Sequence, residues 1–291
     1  MATIYTQQDK NIRKTWLLMT TFLVIIIILG YFVSYYYNSP AILYVAIIFS
    51  LFMNIMSYWF SDKIVLSMSG AKEAKHDEYT DLYHIVENLS ITAGLPMPRI
   101  YIIEDQAPNA FATGRNKDHA VVAVTTGLLQ ILNKVELEGV VAHELSHIGN
   151  RDILLQTVIV VLVGFVSILA NIFMRSGLRG RDNNKAGGIL VIVGIIFIVL
   201  SPIFTKLIQL AISRKREFLA DASAVLLTRY PDGLAGALQK ISGANIPMKN
   251  ANSATAHLFI SNPFGSVGKK VSGLFSTHPP IDERVKAIYN K

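Results

Sequence analysis

Two histidines four residues apart, with a glutamate directly after the first, are the residues of this chain best suited to chemistry: His143-Glu144-Leu145-Ser146-His147. Positions i and i+4 share one face of an α-helix, so both imidazoles can bind the same ion. Glu144 lies one position round the helix, where it can reach a water molecule on that ion and act as a general base. The uncharged residues around the motif favour a catalytic zinc site over two surface histidines without a metal.

A catalytic zinc ion held by two histidines needs a third protein ligand and one open position for water. Glu217 is the leading candidate, because its helix begins where a long apolar segment ends and so emerges on the same face as the zinc motif. Asp221, at i+4 from Glu217, suits a role as acceptor for an imidazole N–H. Asp152 is a weaker candidate for the third ligand. The sequence therefore predicts one Zn²⁺ per chain, bound by His143, His147 and Glu217.

The composition indicates a membrane protein. Apolar residues make up 52% of the 291 residues and charged residues only 16%, against about 25% charged in a typical soluble domain. The chain has no cysteine, which excludes disulfides, Fe–S clusters and thiolate metal sites. Basic flanks of membrane segments account for the net charge of +7. Nucleic acid is therefore not an expected partner, whereas the lipid bilayer and protein or peptide substrates are.

Four apolar segments reach the roughly 20 residues that a membrane-spanning helix needs: residues 15–37, 41–60, 153–174 and 187–211. The first is predicted to be an uncleaved anchor, because it is longer than the apolar region of a signal peptide and no small-residue cleavage site follows. Basic residues on both sides of the first pair indicate that these flanks are cytoplasmic. Basic residues between the third and fourth segments conflict with that orientation, so the sequence leaves open whether these two segments fully cross.

The polar parts of the chain predict a catalytic domain in two pieces, residues 61–152 and 212–291. The apolar pair within 153–211 separates them, and the hairpin of 1–60 precedes both. Helical spacing of apolar residues predicts a helix over 74–93. Segments 99–104 and 119–125 are rich in β-branched residues and predict strands, with a third short strand within 109–114. Ser, Asn and Gly predict a long loop over 243–277.

Taken together, these motifs resemble the HtpX membrane metalloproteases, which are similar to the CAAX prenyl proteases among the gluzincins. The resemblance covers nearly the whole chain. It depends on residues 109–114, on the zinc motif, on the segment from Glu217 to Asp221, and on His278-Pro279-Pro280 with Arg284. It implies a zinc endopeptidase of the plasma (inner) membrane, multi-pass, with its active site facing the cytoplasm, which takes part in quality control of misfolded or membrane proteins.

The expected fold is an α+β membrane protein, in which four transmembrane or hydrophobic helices carry a cytoplasmic zincin-like domain made of a small sheet and the zinc-motif helix. His278 would donate a hydrogen bond to the oxyanion of the tetrahedral intermediate, and Arg284 would support the same charge. An extended substrate would pair by main-chain hydrogen bonds with a strand edge formed by Asn109, Ala110, Phe111 and Ala112. The remaining histidines are expected to be structural or exposed: His76, His84, His119 and His257.

Two other functions stay open at this point. The first is a processing peptidase of the CAAX type, which would cut only its own motif. A wide enclosed chamber for such a reaction needs more than four membrane spans, so this comes second. The other is a membrane adaptor in which zinc is structural. Glu144 argues against the adaptor, because a structural zinc site has no use for an acid–base group outside its ligands.

Overall fold

The structure, a computed structural model, describes residues 4–179, 214–252, 254–265 and 279–289 of the chain. The predicted apolar segment 187–211 and the predicted oxyanion donor His278 lie outside the described residues. Within these ranges the fold is a mixed α+β arrangement with one small sheet, as predicted.

The chain begins with two long apolar helices, α1 (Ile4–Tyr37) and α2 (Pro40–Trp59). A tight turn joins them: Asn38 has a φ of 51°, and Pro40 starts α2, where a proline ring suits the first helical position. Among the described residues these are the two single helices long and apolar enough to cross a membrane, Gln8–Tyr37 and Pro40–Trp59. They agree with the predicted N-terminal hairpin.

The remaining described elements form the sheet and the helices around it. The strands are β1 (Ala71–Glu73), β2 (Arg99–Ile103), β3 (Ala110–Thr113) and β4 (Val121–Thr125). The helices are α3 (Ser61–Ser69), α4 (Thr80–Ala93), α5 (Thr126–Ile131), α6 (Lys134–Gly149), α7 (Asp152–Arg179), α8 (Arg214–Thr228), α9 (Pro231–Ala244) and α10 (Ile281–Ile288). The three strands predicted from sequence are therefore confirmed, each to within one or two residues.

The four strands lie in the order β1-β2-β4-β3, so β3 is at an edge. The central pair β2–β4 is parallel, and the other two pairs are antiparallel. Every residue of β4 is buried, and its side chains alternate between two hydrophobic clusters. Val122 and Val124 pack with α6, whereas Val121 and Ala123 pack with Phe259 on the other face. Burial on both faces explains why β4 is apolar from Val121 to Val124.

Helices α6 and α7 meet at an angle of 84°. Helix α7 contains the whole of the predicted third apolar segment. It packs against α1 through a separate apolar cluster that includes Phe22, Leu155 and Ile159. The pair α6–α7 satisfies the length and composition of a membrane span only when both helices are taken together, which would give three spans among the described residues. Four spans remain a prediction.

Candidate metal centre

Helix α6 holds the zinc motif in the centre of the protein. Its first turn is closed by a capping box, in which the Asn133 side chain accepts from the Glu136 backbone N–H and Glu136 accepts from that of Asn133. Gly139 lets α9 approach closely, because a Cβ there would be 2.6 Å from the backbone nitrogen of Leu234. Within this packed helix, His143 and His147 are only 1% and 5% exposed. Glu144, between them, is buried as well.

Glu217 lies opposite the two histidines, on α8. The Nε2 atoms of His143 and His147 are 3.2 Å apart. One Glu217 oxygen is 3.7 Å from Nε2 of His143, and the other is 3.7 Å from Nε2 of His147. One ligand atom from each of the three residues lies within 4.8 Å of the other two. The structure thus brings together the three residues that the sequence predicted as zinc ligands.

The second nitrogen of each imidazole faces a carboxylate. Nδ1 of His143 donates to Asp221 at 2.9 Å, and Nδ1 of His147 donates to Asp152 at 3.0 Å. A neutral imidazole that donates from Nδ1 keeps a lone pair on Nε2, which is the form that binds a metal ion. Asp152, considered from sequence as a weaker third ligand, therefore occupies the same kind of position beside His147 as Asp221 does beside His143.

The donor set fits a zinc ion. The two Nε2 atoms and the Glu217 carboxylate converge in a buried space, where a cation could bind between them. Two imidazole nitrogens that each lie about 2.0–2.1 Å from a tetrahedral zinc ion would be roughly 3.3 Å apart, close to the 3.2 Å between the Nε2 atoms. Two histidines and one carboxylate, which leave a fourth position open, are a ligand set of catalytic zinc sites. His143, His147 and Glu217 could therefore hold the metal.

Arg284 is completely buried and binds the Asp221 carboxylate beside His143. Its Nε and Nη2 donate to the two oxygens of Asp221 at 2.9 and 2.7 Å, while Nη1 donates to the backbone oxygen of Ile260 at 3.4 Å. Burial raises the pKa of Asp221, but the charge of Arg284 and hydrogen bonds from His143 and Arg284 outweigh it and lower that pKa to about 2. Asp221 is therefore ionised at neutral pH.

From sequence, Arg284 was expected to support the charge of the reacting oxyanion. In the structure its guanidinium contacts Asp221 instead. The guanidinium uses a two-pronged contact on Asp221, and its Nη2 lies 3.5 Å from both ring nitrogens of His143. It thus acts on the carboxylate that orients a candidate ligand. The sequence could not distinguish these roles, because Arg284 and Asp221 are 63 positions apart along the chain.

The predicted substrate-binding segment lies at the edge of the sheet, but part of that edge is occupied. The Asn109 side chain makes two hydrogen bonds of 3.1 Å with the backbone of Ser261, one to its oxygen and one from its N–H. The Ala110 oxygen accepts from the backbone N–H of Ile260 at 3.0 Å. Phe111 packs edge-to-face on Phe259, on the sheet face away from α6. Ala112 lies on the same outer edge as Ala110, beyond these contacts.

Two residues near the metal centre were not singled out by the sequence. Arg216, directly before Glu217, is 3.2 Å from the Asp152 carboxylate through Nη1. Asn11, near the start of α1, donates to the same carboxylate oxygen at 2.7 Å. For Arg216, the only sequence signal was its position beside a predicted ligand. For Asn11 there was none, because the local pattern does not distinguish it from other polar residues that precede an apolar segment.

Comparisons with known proteins agree with this geometry. Residues 74–291 match Peptidase family M48. A "Protease HtpX homolog" of Thermoanaerobacter pseudethanolicus is 48% identical over 295 residues, covering 98% of this chain and 97% of that protein. One from Pyrococcus furiosus is 47% identical, with 94% of each covered. The crystal structure of S. mikatae Ste24p is similar in fold, with a TM-score of 0.52 at 19% identity, over 98% of this chain and 67% of that one.

Proposed function

Because the chain belongs to peptidase family M48, and so is a metallopeptidase that hydrolyses peptide bonds, we propose that its catalytic metal is a zinc ion held by His143, His147 and Glu217. The observation that carries the proposal is the convergence of these three ligands while the other nitrogen of each histidine donates to a buried carboxylate. The resemblance to HtpX proteases predicted from sequence is confirmed by relatives that match over nearly the full length.

The roles of the protein groups follow from their places. When bound, zinc supplies Lewis-acid chemistry, because it polarises a carbonyl and makes water more acidic. Glu144 takes the proton of the water that attacks the scissile carbonyl and returns it to the leaving amine. Asp221 and Asp152 hold the two imidazoles with Nε2 directed inward. Arg284 keeps Asp221 ionised and fixed in orientation.

Two further roles are carried over from the sequence. His278 is proposed to donate to the oxyanion that forms as the carbonyl is attacked. The outer edge of β3 at Ala112 is proposed to pair with an extended substrate, since β-strand addition is a common way of aligning peptides. The hydrogen bonds of Asn109 and Ala110 to the segment at Ile260 and Ser261 restrict this pairing to the far end of the strand.

The cellular setting is proposed from the membrane helices and their charges. The two apolar helices α1 and α2 support a membrane protein. The basic residues that flank them support an orientation in which the metal centre faces the cytoplasm. We propose a multi-pass protein of the plasma membrane with four spans, whose substrates are misfolded proteins or membrane proteins, as the resemblance to HtpX proteases implies.

A processing peptidase with a narrow substrate is the second candidate. It stays open because the likeness to S. mikatae Ste24p, at 19% identity, is one of fold and does not define the range of substrates. An adaptor with a structural zinc ion is not supported, because the family is one of peptidases.

The test is casein hydrolysis by the purified protein in detergent, stripped of metal with a chelator and then supplied with zinc. We expect cleavage to disappear with the metal and to return with zinc. Tight binding of one zinc ion without casein cleavage would favour the processing peptidase. Cleavage that persists after complete removal of metal would contradict the proposal.

A further inference from the structure

The first apolar helix reaches into the metal centre. Near its start, Asn11 is only 2% exposed. Its side-chain Nδ2 donates to Oδ1 of Asp152 at 2.7 Å and to the backbone oxygen of Asn150 at 3.2 Å. Three residues earlier, about one helical turn before Asn11, the Gln8 side chain donates to the Gly149 oxygen at the end of the zinc-motif helix, at 2.7 Å. Helix α1 is thus attached to the segment where α6 turns into α7.

The Asp152 carboxylate connects Asn11 to a candidate zinc ligand. Oδ2 of Asp152 accepts from Nδ1 of His147 at 3.0 Å, whereas Oδ1 accepts from Asn11 and, at 3.2 Å, from Arg216. Asp152 is 1% exposed, so its oxygens depend on protein donors, and each hydrogen bond restricts the rotation of the carboxylate. The direction of the oxygen that faces His147 therefore depends on the groups that hold the other oxygen.

The amide of Asn11 is suited to this position. Arg216 already supplies one positive charge to Asp152, so a second cation would leave a net charge buried next to the metal. A neutral amide satisfies the remaining acceptor capacity of Oδ1 without adding charge, and its own oxygen accepts from Nη1 of Arg216 at 3.4 Å. Asn11, Arg216 and Asp152 form a closed triangle of hydrogen bonds.

We propose that Asn11 is a positioning residue of the metal centre, which orients His147 for metal binding by fixing the Asp152 carboxylate. The inference rests on the proposed function, because it assumes that His147 binds the metal. Its consequence is that α1 is more than a membrane anchor: the affinity for zinc depends on how the start of this helix is seated against α7. A change of outer-shell partner commonly weakens metal binding by about 10- to 100-fold.

The experiment measures zinc affinity by competition with a chromophoric chelator, on full-length protein in detergent. The variants are Asn11→Ala, Asp152→Ala and the double variant. Thr15→Val is the matched control, since the Thr15 hydroxyl lies on the same buried face of α1 but donates only to the backbone of its own helix, at the oxygen of Asn11. The visible spectrum of the cobalt-substituted proteins gives a second readout, because it reports the geometry of the ligands.

We expect Asn11→Ala to weaken zinc binding about 10-fold and to alter the cobalt spectrum. In the Asp152→Ala background, Asn11→Ala should change zinc affinity by less than about twofold, because residues that act through one group are not additive. Thr15→Val should match the wild type. Equal losses in both backgrounds, or no loss in either, would overturn the inference. If Asn11→Ala does not fold, Asn11→Ser removes the same amide with a smaller change in polarity and must show the same losses.

The zinc affinities also distinguish a failure of this inference from a failure of the proposed metal centre. A wild-type chain that binds no zinc would overturn the proposed metal centre and the role of Asn11 together. A wild-type chain that binds one zinc ion, with Asn11→Ala unchanged, would overturn only the role of Asn11.

Discussion

At the scale of single residues, the proposed general base Glu144 lies on the turn of α6 between the two histidines. Replacement of Glu144 by glutamine keeps the shape of the side chain but removes its ability to accept a proton. We expect Glu144→Gln to retain one zinc ion per chain and to lose about 10²- to 10⁴-fold in casein turnover, the range typical of general acid–base catalysis. Metal analysis of the purified variant and a casein assay at saturating zinc measure the two quantities.

Glu138→Gln is the matched control, because Glu138 lies on the same helix, one and a half turns earlier, and is partly exposed. It should leave both zinc content and turnover unchanged. Loss of stoichiometric zinc from Glu144→Gln would show that Glu144 is a ligand and would contradict its assignment as the base.

Arg284 offers a choice between two roles that a substitution can separate. Arg284→Lys keeps a positive charge but cannot make the two-pronged contact with Asp221. We expect zinc affinity to fall about 10- to 100-fold, as for other partners of ligand histidines, while turnover at saturating zinc changes far less. Chelator competition and steady-state kinetics provide the comparison, and Lys286→Ala, exposed on the same helix, serves as the control. A loss of turnover at unchanged zinc affinity would instead support the oxyanion role expected from sequence.

At the scale of elements, β3 is joined to the segment 254–265 by the Asn109 side chain. Asn109→Ala would leave the partly buried backbone N–H and oxygen of Ser261 without the Asn109 side chain as their partner. We expect the free energy of unfolding to decrease by about 1–3 kcal/mol, measured by chemical denaturation in detergent, with little change in KM for a casein-derived peptide. Asn262→Ala, in the same segment, is the control for the loss of an exposed, local hydrogen bond, because the Asn262 side chain accepts from the backbone N–H of Phe264 at 3.1 Å.

The opposite result for Asn109→Ala would be informative about the substrate. A higher KM with unchanged stability would mean that Asn109 contacts the substrate, as the sequence suggested, and that its hydrogen bonds to Ser261 contribute little to the folded state.

At the scale of the whole molecule, metal binding and folding are coupled, because the three ligands are brought together only when α6 and α8 are packed. Zinc at 100 times its dissociation constant should stabilise the protein by about 2.7 kcal/mol, which thermal unfolding in detergent can detect as a higher midpoint. Magnesium is the control ion, since it prefers oxygen ligands and water to imidazole. An equal shift with magnesium, or the same zinc shift in His147→Ala, would contradict binding at this centre.

Several features could be predicted from sequence because their physical causes are local. The repeat of an α-helix is set by hydrogen bonds four residues apart, so the spacing of His143 and His147 already determines that they share a face. Runs of β-branched residues and the two uncharged segments at the N-terminus are local in the same sense, and the strands and the helices α1 and α2 agree with the predictions. Glu217 could be predicted because zinc chemistry demands a third ligand.

Contacts between side chains far apart along the chain were decided only by the tertiary structure. Asp152 faces His147 as a hydrogen-bond acceptor, Arg284 holds Asp221 across 63 positions, and Asn11 reaches Asp152 across 141. The β3 edge is partly covered by a segment about 150 positions later. Such pairs depend on how helices and strands pack and leave no periodic signal in the sequence, so the ligands could be predicted while the groups that orient them could not.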